Sequence, residues 1–330
     1  MDISRREFIR QALLLGSLGF SASALFSSTA CGDKPASKPI PASTFTPTSA
    51  PSYTVEPTPT AEAAYLSVAR GQSPTAMVQA AVDALGGIGR FVKPGDDVIV
   101  KPNMGTAYRT FEQATTTNPE VVAALVALCL SSGARRVRVM DYTCSGLQED
   151  AHTHSGIAAA VLDAGGDMEV MSLMKFQKTS IPQGCDITVW PVYTDVLQAD
   201  VLINVPIAKK HELAVLTLGM KNLMGLILDR HSFHENLGQR IADLNSLVRP
   251  NLTVIDAVRI RTSRHPFSDD LGEVELMNTI IASADIVAAD SYAATLFGMT
   301  GADVPAIVAG SDMGLGIMNL DSIRIQEIEV

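Results

Sequence analysis

Residues 97–103 read D-V-I-V-K-P-N, and residues 199–206 read A-D-V-L-I-N-V-P. Each is a short run of Val, Ile and Leu that begins near an acid and closes on a proline. A strand covered on both faces reads this way, whereas a strand with one wet face alternates apolar and polar residues. Other segments fit the same plan. Tyr65–Ala69, Arg136–Met140, Met168–Ser172, Leu252–Asp256, Ile286–Ala289 and Ile323–Ile328 read as strands. Thr75–Leu85, Ile157–Asp163, Leu213–Leu223 and Ser291–Phe297 read as helices. Asn118-Pro119-Glu120 opens a further helix to Leu130, with proline in its first turn and an acid beside the positive helix end. Thr179–Trp190 reads as a hairpin or insertion. The alternation predicts an α/β fold: a mostly parallel sheet with helices on both faces, in Rossmann-like layers, with a small β insertion.

In such sheets ligands bind beyond the carboxyl ends of the strands. Polar clusters follow four of the predicted strands: Lys101-Pro102-Asn103, Asp141, the group Lys209, Lys210 and His211, and Asp256. Thr117, at the start of the helix after Thr115-Thr116, adds a hydroxyl where free N–H groups can hold an anion or simply be capped. These positions define a candidate cleft for a small anionic molecule, with Lys101, Asn103, Thr117, Asp141, Lys209 and Asn222 as binding residues.

The densest stretch runs from Lys209 to His234. Lys221 and Asn222 sit among apolar neighbours, so the amine either snorkels outward or is held at a site with a shifted pKa. Gly219 and Gly225 allow close backbone approach. His211 is the candidate acid or base, since a histidine titrates near neutral pH. Asp229, His231 and His234 form a candidate metal-ligating set by spacing. No cofactor is specified. There is no G-x-G-x-x-G after a strand and no phosphate-binding P-loop, so a nucleotide fold lacks support.

The formal net charge of −10, without a long basic run after the N-terminus, argues against nucleic-acid binding. Four cysteines occur and none is in a C-x-x-C pair, which excludes a ferredoxin-type iron–sulfur module. Cys129 lies in an apolar helix and reads as a buried small residue. Cys144 and Cys185 are the better pair if a disulfide forms. The oligomeric state is not encoded legibly.

The N-terminus carries its own signal. Ser4-Arg5-Arg6-Glu7-Phe8-Ile9-Arg10 resembles the twin-arginine export pattern S-R-R-x-F-L-K, and a weakly apolar stretch to Ala30 follows. Gln11, Gly16, Gly19 and several serines make that stretch a poor membrane span. Ser28-Thr29-Ala30-Cys31-Gly32 resembles a lipobox, with Cys31 as the lipidated residue; ordinary cleavage after Ala30 is the alternative. Residues 31–62 are rich in Pro, Ser and Thr and read as a tether. The expected organisation is a signal over 1–30, a tether over 31–62 and one α/β domain over 63–330. The expected location is the outer face of the cell membrane or the periplasm, with the lipid on Cys31 as the membrane contact.

Four blocks carry a family likeness: V-I-V-K-P-N (98–103), T-T-N-P-E-V-V-A-A-L (116–125), A-D-V-L-I-N-V-P (199–206) and H-E-L-A-V-L-T-L-G-M-K-N-L-M-G (211–225). They resemble the family called domain of unknown function 362. The order of His before G-x-K-N-x-x-G is also similar, more distantly, to nickel-pincer lactate racemases. That likeness implies proton exchange at His211 and a covalently attached cofactor on Lys221, although the glycine-rich stretch before the lysine is reduced here to Leu218-Gly219-Met220. Three functions compete: an enzyme acting on a small anion, a solute-binding lipoprotein, and an accessory protein of a membrane redox complex.

Overall fold

The computed structural model describes residues 64–265 and 270–330. The twin-arginine stretch, Cys31 and the tether lie outside the described residues. The strands are Leu66–Arg70 (β1), Asp97–Pro102 (β2), Arg136–Val139 (β3), Asp167–Met168 (β4), Phe176–Ser180 (β5), Val189–Tyr193 (β6), Val201–Val205 (β7), Ile207–His211 (β8), Val215–Thr217 (β9), Leu252–Arg261 (β10), Val274–Ser283 (β11) and Ile325–Glu329 (β12). The helices are Pro74–Ala84 (α1), Pro119–Ser131 (α2), Gln148–His154 (α3), Ile157–Asp163 (α4), Gly219–Asn222 (α5), Arg230–Phe233 (α6), Leu237–Leu247 (α7), Ile286–Thr295 (α8) and Pro305–Asp312 (α9).

The main sheet runs β12-β1-β11-β10-β7-β2-β3-β4, with β8 beside β10 and β9 beside β8. Pairing is parallel except at β1–β11, β10–β11 and β8–β9. Successive side chains point to opposite faces, and the core divides accordingly. Val98, Val100, Val137, Val201 and Ile203 pack with α1, α2 and α4 on one face, while Ile99, Leu202, Ile255 and Ile281 pack with α7, α8 and α9 on the other. This is the mostly parallel, doubly covered sheet expected from the sequence. β5 and β6 form the small antiparallel insertion.

The sequence reading needs correction at four places. Leu213–Leu223 is not one helix: it holds β9, then the single turn of α5. The buried apolar side chains from 213 to 220 are Ala214, Leu216, Leu218 and Met220, two residues apart, while Leu213 is exposed, so strand spacing passed for helical spacing. Ile286–Ala289 is the start of α8, not a strand. Asp285 caps it by accepting from the Ala288 N–H at 2.9 Å. The strand lies just upstream as β11. Met168–Ser172 pairs only through Asp167 and Met168. Finally, Cys144 and Cys185 are free thiols, as is buried Cys129. Cys144 donates to the Gly105 carbonyl, whereas the Cys185 backbone N–H is held by Asp243.

Candidate active site

The cleft opens where β7 parts from β2. Pro206 interrupts the chain after β7, and its carbonyl accepts from the Asp256 N–H at 2.8 Å. The next residues, β8, continue along β10 past the carboxyl end of β2. On β8, Lys209 and His211 share a face by alternation, and Lys209 stands opposite Thr217 of β9. The resulting cavity has a volume of about 280 Å³ and is lined by Lys101, Asn103, Asp141, Cys144, Lys209, His211, Thr217, Lys221, Asn222, Gly225, Arg230 and His234, among others.

Its floor is an ion pair. Lys101 ends β2 and Asp141 follows β3; their side chains meet at 2.7 Å and are almost fully buried. Lys101 also donates to the Pro102 carbonyl at 2.9 Å, and Asp141 accepts from the Met104 N–H at 2.6 Å. Burial lowers the Lys101 pKa against the pull of Asp141. Gly225 lies directly on this pair: a Cβ there would stand 1.9 Å from Asp141 Oδ1 and 2.6 Å from Lys101 Nζ. The close approach expected of Gly225 is therefore to the floor of the cleft.

An amide chain carries the next layer. Asn204 donates to the Gly219 carbonyl and accepts from Asn222 Nδ2 at 2.9 Å. Asn222 Oδ1 accepts from Asn103 Nδ2 at 3.0 Å. Asn103 Oδ1 accepts from Lys209 Nζ at 3.4 Å, and Lys209 also donates to the Thr115 carbonyl at 2.6 Å. Each amide can match donor to acceptor, so the chain holds both lysine-bearing elements in register. The α5 turn is anchored from behind by buried Asp290, which accepts from the Gly219 and Met220 N–H groups at 2.6 and 2.8 Å. Burial pushes the Asp290 carboxyl up to about 7 against those bonds.

Among the described lining residues Asp141 is the one carboxylate. Burial, with the charge of Lys221, brings Lys209 down to about 7. Burial brings Lys221 down to about 8 against the pull of Cys144, with Arg230 and Lys101 pressing the same way as burial. Arg230 donates to the Tyr142 carbonyl at 2.5 Å and lies over the Tyr142 ring. His211 is pushed down to about 3 by burial and by both lysines. Its Nδ1 accepts from the Leu213 and Ala214 N–H groups at 3.2 and 3.3 Å, so the neutral ring carries its proton on Nε2.

The structure thus gathers Lys101, Asn103, Asp141, Lys209, His211, Lys221 and Asn222 around one cavity. Thr117 is not among the lining residues. Its hydroxyl accepts from the Asn103 N–H and donates to the Val205 carbonyl, which fixes the loop after β2. Asp256 is likewise buried away from the cavity, accepting from the Asn118 and Val258 N–H groups. Asp229, His231 and His234 do not converge. Asp229 caps α6 through Ser232, His231 is exposed, and His234 contacts the Arg230 carbonyl. Among the described residues no group of three His, Cys, Asp or Glu side chains is placed to hold a metal ion. Cys144 was read only as a disulfide partner, and Thr217, Arg230 and Asp290 escaped sequence reading. Of these only Thr217 left a trace, through its alternation across the hairpin from Lys209.

The chain belongs to the family described as Domain of unknown function (DUF362), whose model matches residues 98–295. It is 26% identical over 255 residues to the thylakoid-associated protein sll1697 of Synechocystis, covering 73% of this chain and 75% of that one. Among solved structures it is similar to a lactate racemase apoprotein from Thermoanaerobacterium thermosaccharolyticum, at TM-score 0.43 and 10% identity over 66% of this chain and 54% of that one. A Thermotoga maritima protein matches at TM-score 0.43 and 12% identity, over 69% and 60%. The chain thus spans less than two thirds of either structure's length.

Proposed function

We propose that this protein captures a small anion, a carboxylate or phosphate, in the cleft between β2, β3 and the β8–β9 hairpin. One observation carries the reading: Asp141, the one carboxylate among the described lining residues, is neutralised by Lys101, and Lys209, Lys221 and Arg230 line the same cavity. Lys209, held near 7, gains charge when an anion enters, so binding and protonation reinforce each other. His211, neutral with its proton on Nε2, serves as a hydrogen-bond donor to the ligand.

In this reading the protein works outside the cytoplasm, exported through Arg5-Arg6 and held to a membrane by lipid on Cys31. The name of the thylakoid-associated relative supports a membrane setting. A solute-binding or redox-accessory role without chemistry is the second reading. The occupied Nδ1 of His211 favours it, because the ring's acceptor is already in use.

A melting-temperature series tests the cleft. Acetate, oxalate and inorganic phosphate should raise the midpoint of the full chain, glycerol should not, and Lys209→Met with Lys221→Met should abolish the response. An equal response in the double variant would remove the reading. Fractionation of the native host tests the location: Cys31→Ser should move the protein from the membrane to the soluble exported fraction.

A further inference from the structure

The three lysines of the cleft are not equivalent. Lys101 is committed to Asp141 and the Pro102 carbonyl, and Lys209 to the Thr115 carbonyl and Asn103. The Lys221 amine has no hydrogen-bond or ion-pair partner among the described residues, although its helix turn is fixed at the base by Asp290. Its cationic neighbours are Arg230 and Lys101. Two further polar atoms on cavity-lining residues, Thr217 Oγ1 and Arg230 Nε, are buried and unpartnered among the described residues. A positioned amine without a hydrogen-bond or ion-pair partner, buried beside two cationic groups that oppose the pull of Cys144, is disposed to be neutral and nucleophilic.

We propose that Lys221 forms an imine with the carbonyl carbon of a small 2-oxo acid whose carboxylate is held by the cationic groups of the cleft. This rests on the anion-binding reading above. The Lys221 nitrogen lone pair forms a bond to the 2-oxo carbon as the C=O π pair moves to oxygen. A proton passes from nitrogen to that oxygen through solvent and gives a neutral carbinolamine. The hydroxyl then leaves as water, taking the second nitrogen proton, and C=N remains. One water is released per adduct, and nothing is oxidised or reduced. Burial and neighbouring charge hold the amine near 8, so a substantial fraction is neutral at physiological pH.

The test is trapping. Full-length protein is incubated with pyruvate and sodium cyanoborohydride, and the reduced adduct is located by peptide mass mapping. The expected result is one adduct per chain on Lys221, formed on the order of tenfold or more faster than on surface Lys178 at pH 7.5, because a free lysine with a pKa of about 10.4 is almost wholly protonated there. Inorganic phosphate should compete, and Lys221→Arg should abolish the adduct. Because the wild-type map identifies the site by itself, a variant that fails to fold leaves the test intact. Calorimetry with phosphate, which has no carbonyl, runs in parallel. Anion binding without an adduct on Lys221, or labelling spread evenly over surface lysines, overturns the imine alone. Absence of both phosphate binding and adduct overturns the anion cleft and the imine with it.

Discussion

Replacing Asp141 by leucine removes the one counter-charge, among the described residues, within reach of a buried ammonium. The Lys101 side chain is 1% exposed and lies 2.7 Å from Asp141. Its other partner is a neutral carbonyl. Breaking a buried pair by removing one member costs about 3–5 kcal/mol, since the remaining charge is uncompensated. Deprotonation sets a ceiling on that cost. A lysine with an ordinary pKa of about 10.4 gives up its proton at pH 7 for roughly 4.6 kcal/mol, at about 1.36 kcal/mol per unit. The two routes agree, so Asp141→Leu should destabilise the protein by about 3–5 kcal/mol. With a urea slope of about 3 kcal/mol/M, the unfolding midpoint falls by about 1–1.7 M. Adding Lys101→Met should recover most of this, because an apolar pair then replaces an ion pair. Urea unfolding of the full chain, followed by circular dichroism at pH 7, measures both. A single variant losing less than about 1 kcal/mol, or a double variant that loses the sum of its singles, refutes the reasoning.

Other substitutions probe the remaining supports. Gly225→Ala places a methyl group against the ion pair; it should cost roughly 1–3 kcal/mol or more and lower anion affinity, both read from ligand-dependent melting. Asp290→Ala strips two buried N–H groups of their acceptor, at roughly 1–3 kcal/mol each, and should loosen Lys221 and Asn222; hydrogen exchange of residues 219–222 reports it. Lys209→Met tests the charge state. The folded pKa of Lys209, about 7, lies below its unfolded value, so between about 7 and 10 the unfolded chain binds the extra proton and stability rises with pH. The variant lacks that rise, so its stability relative to wild type should fall by about 1.36 kcal/mol per pH unit across the window; parallel pH dependences of the two proteins would contradict the assignment.

The sheet was legible because residues buried on both faces leave uninterrupted apolar runs, as in 98–100 and 201–203. The cleft was legible because Lys101, Asp141 and Lys209 each stand at or just past the end of such a run. What escaped reading lies where spacing is ambiguous. Ala214, Leu216, Leu218 and Met220 alternate over too short a span to separate strand from helix. Ile286, Val287, Ala288 and Ala289 are buried on every side and show no period at all. Asp290 sits in such a segment, and its role depends on α8 packing against the α5 turn. Thr117 and Asp256 were read toward a ligand because hydroxyl and carboxylate groups near strand ends serve loops and helix starts as readily as ligands. Only the partners decide between them.

The anion cleft can be tested where it lies. Crystals of the protein grown with sodium selenate, an anion of phosphate-like shape, give an anomalous difference map that locates the bound ion without reference to any assumed ligand. The account predicts a peak in the cavity above the Lys101–Asp141 pair, within hydrogen-bond reach of Lys209 and Lys221, and its loss when both lysines are replaced by methionine. Selenate bound only elsewhere on the molecule, with this cavity empty, would contradict it.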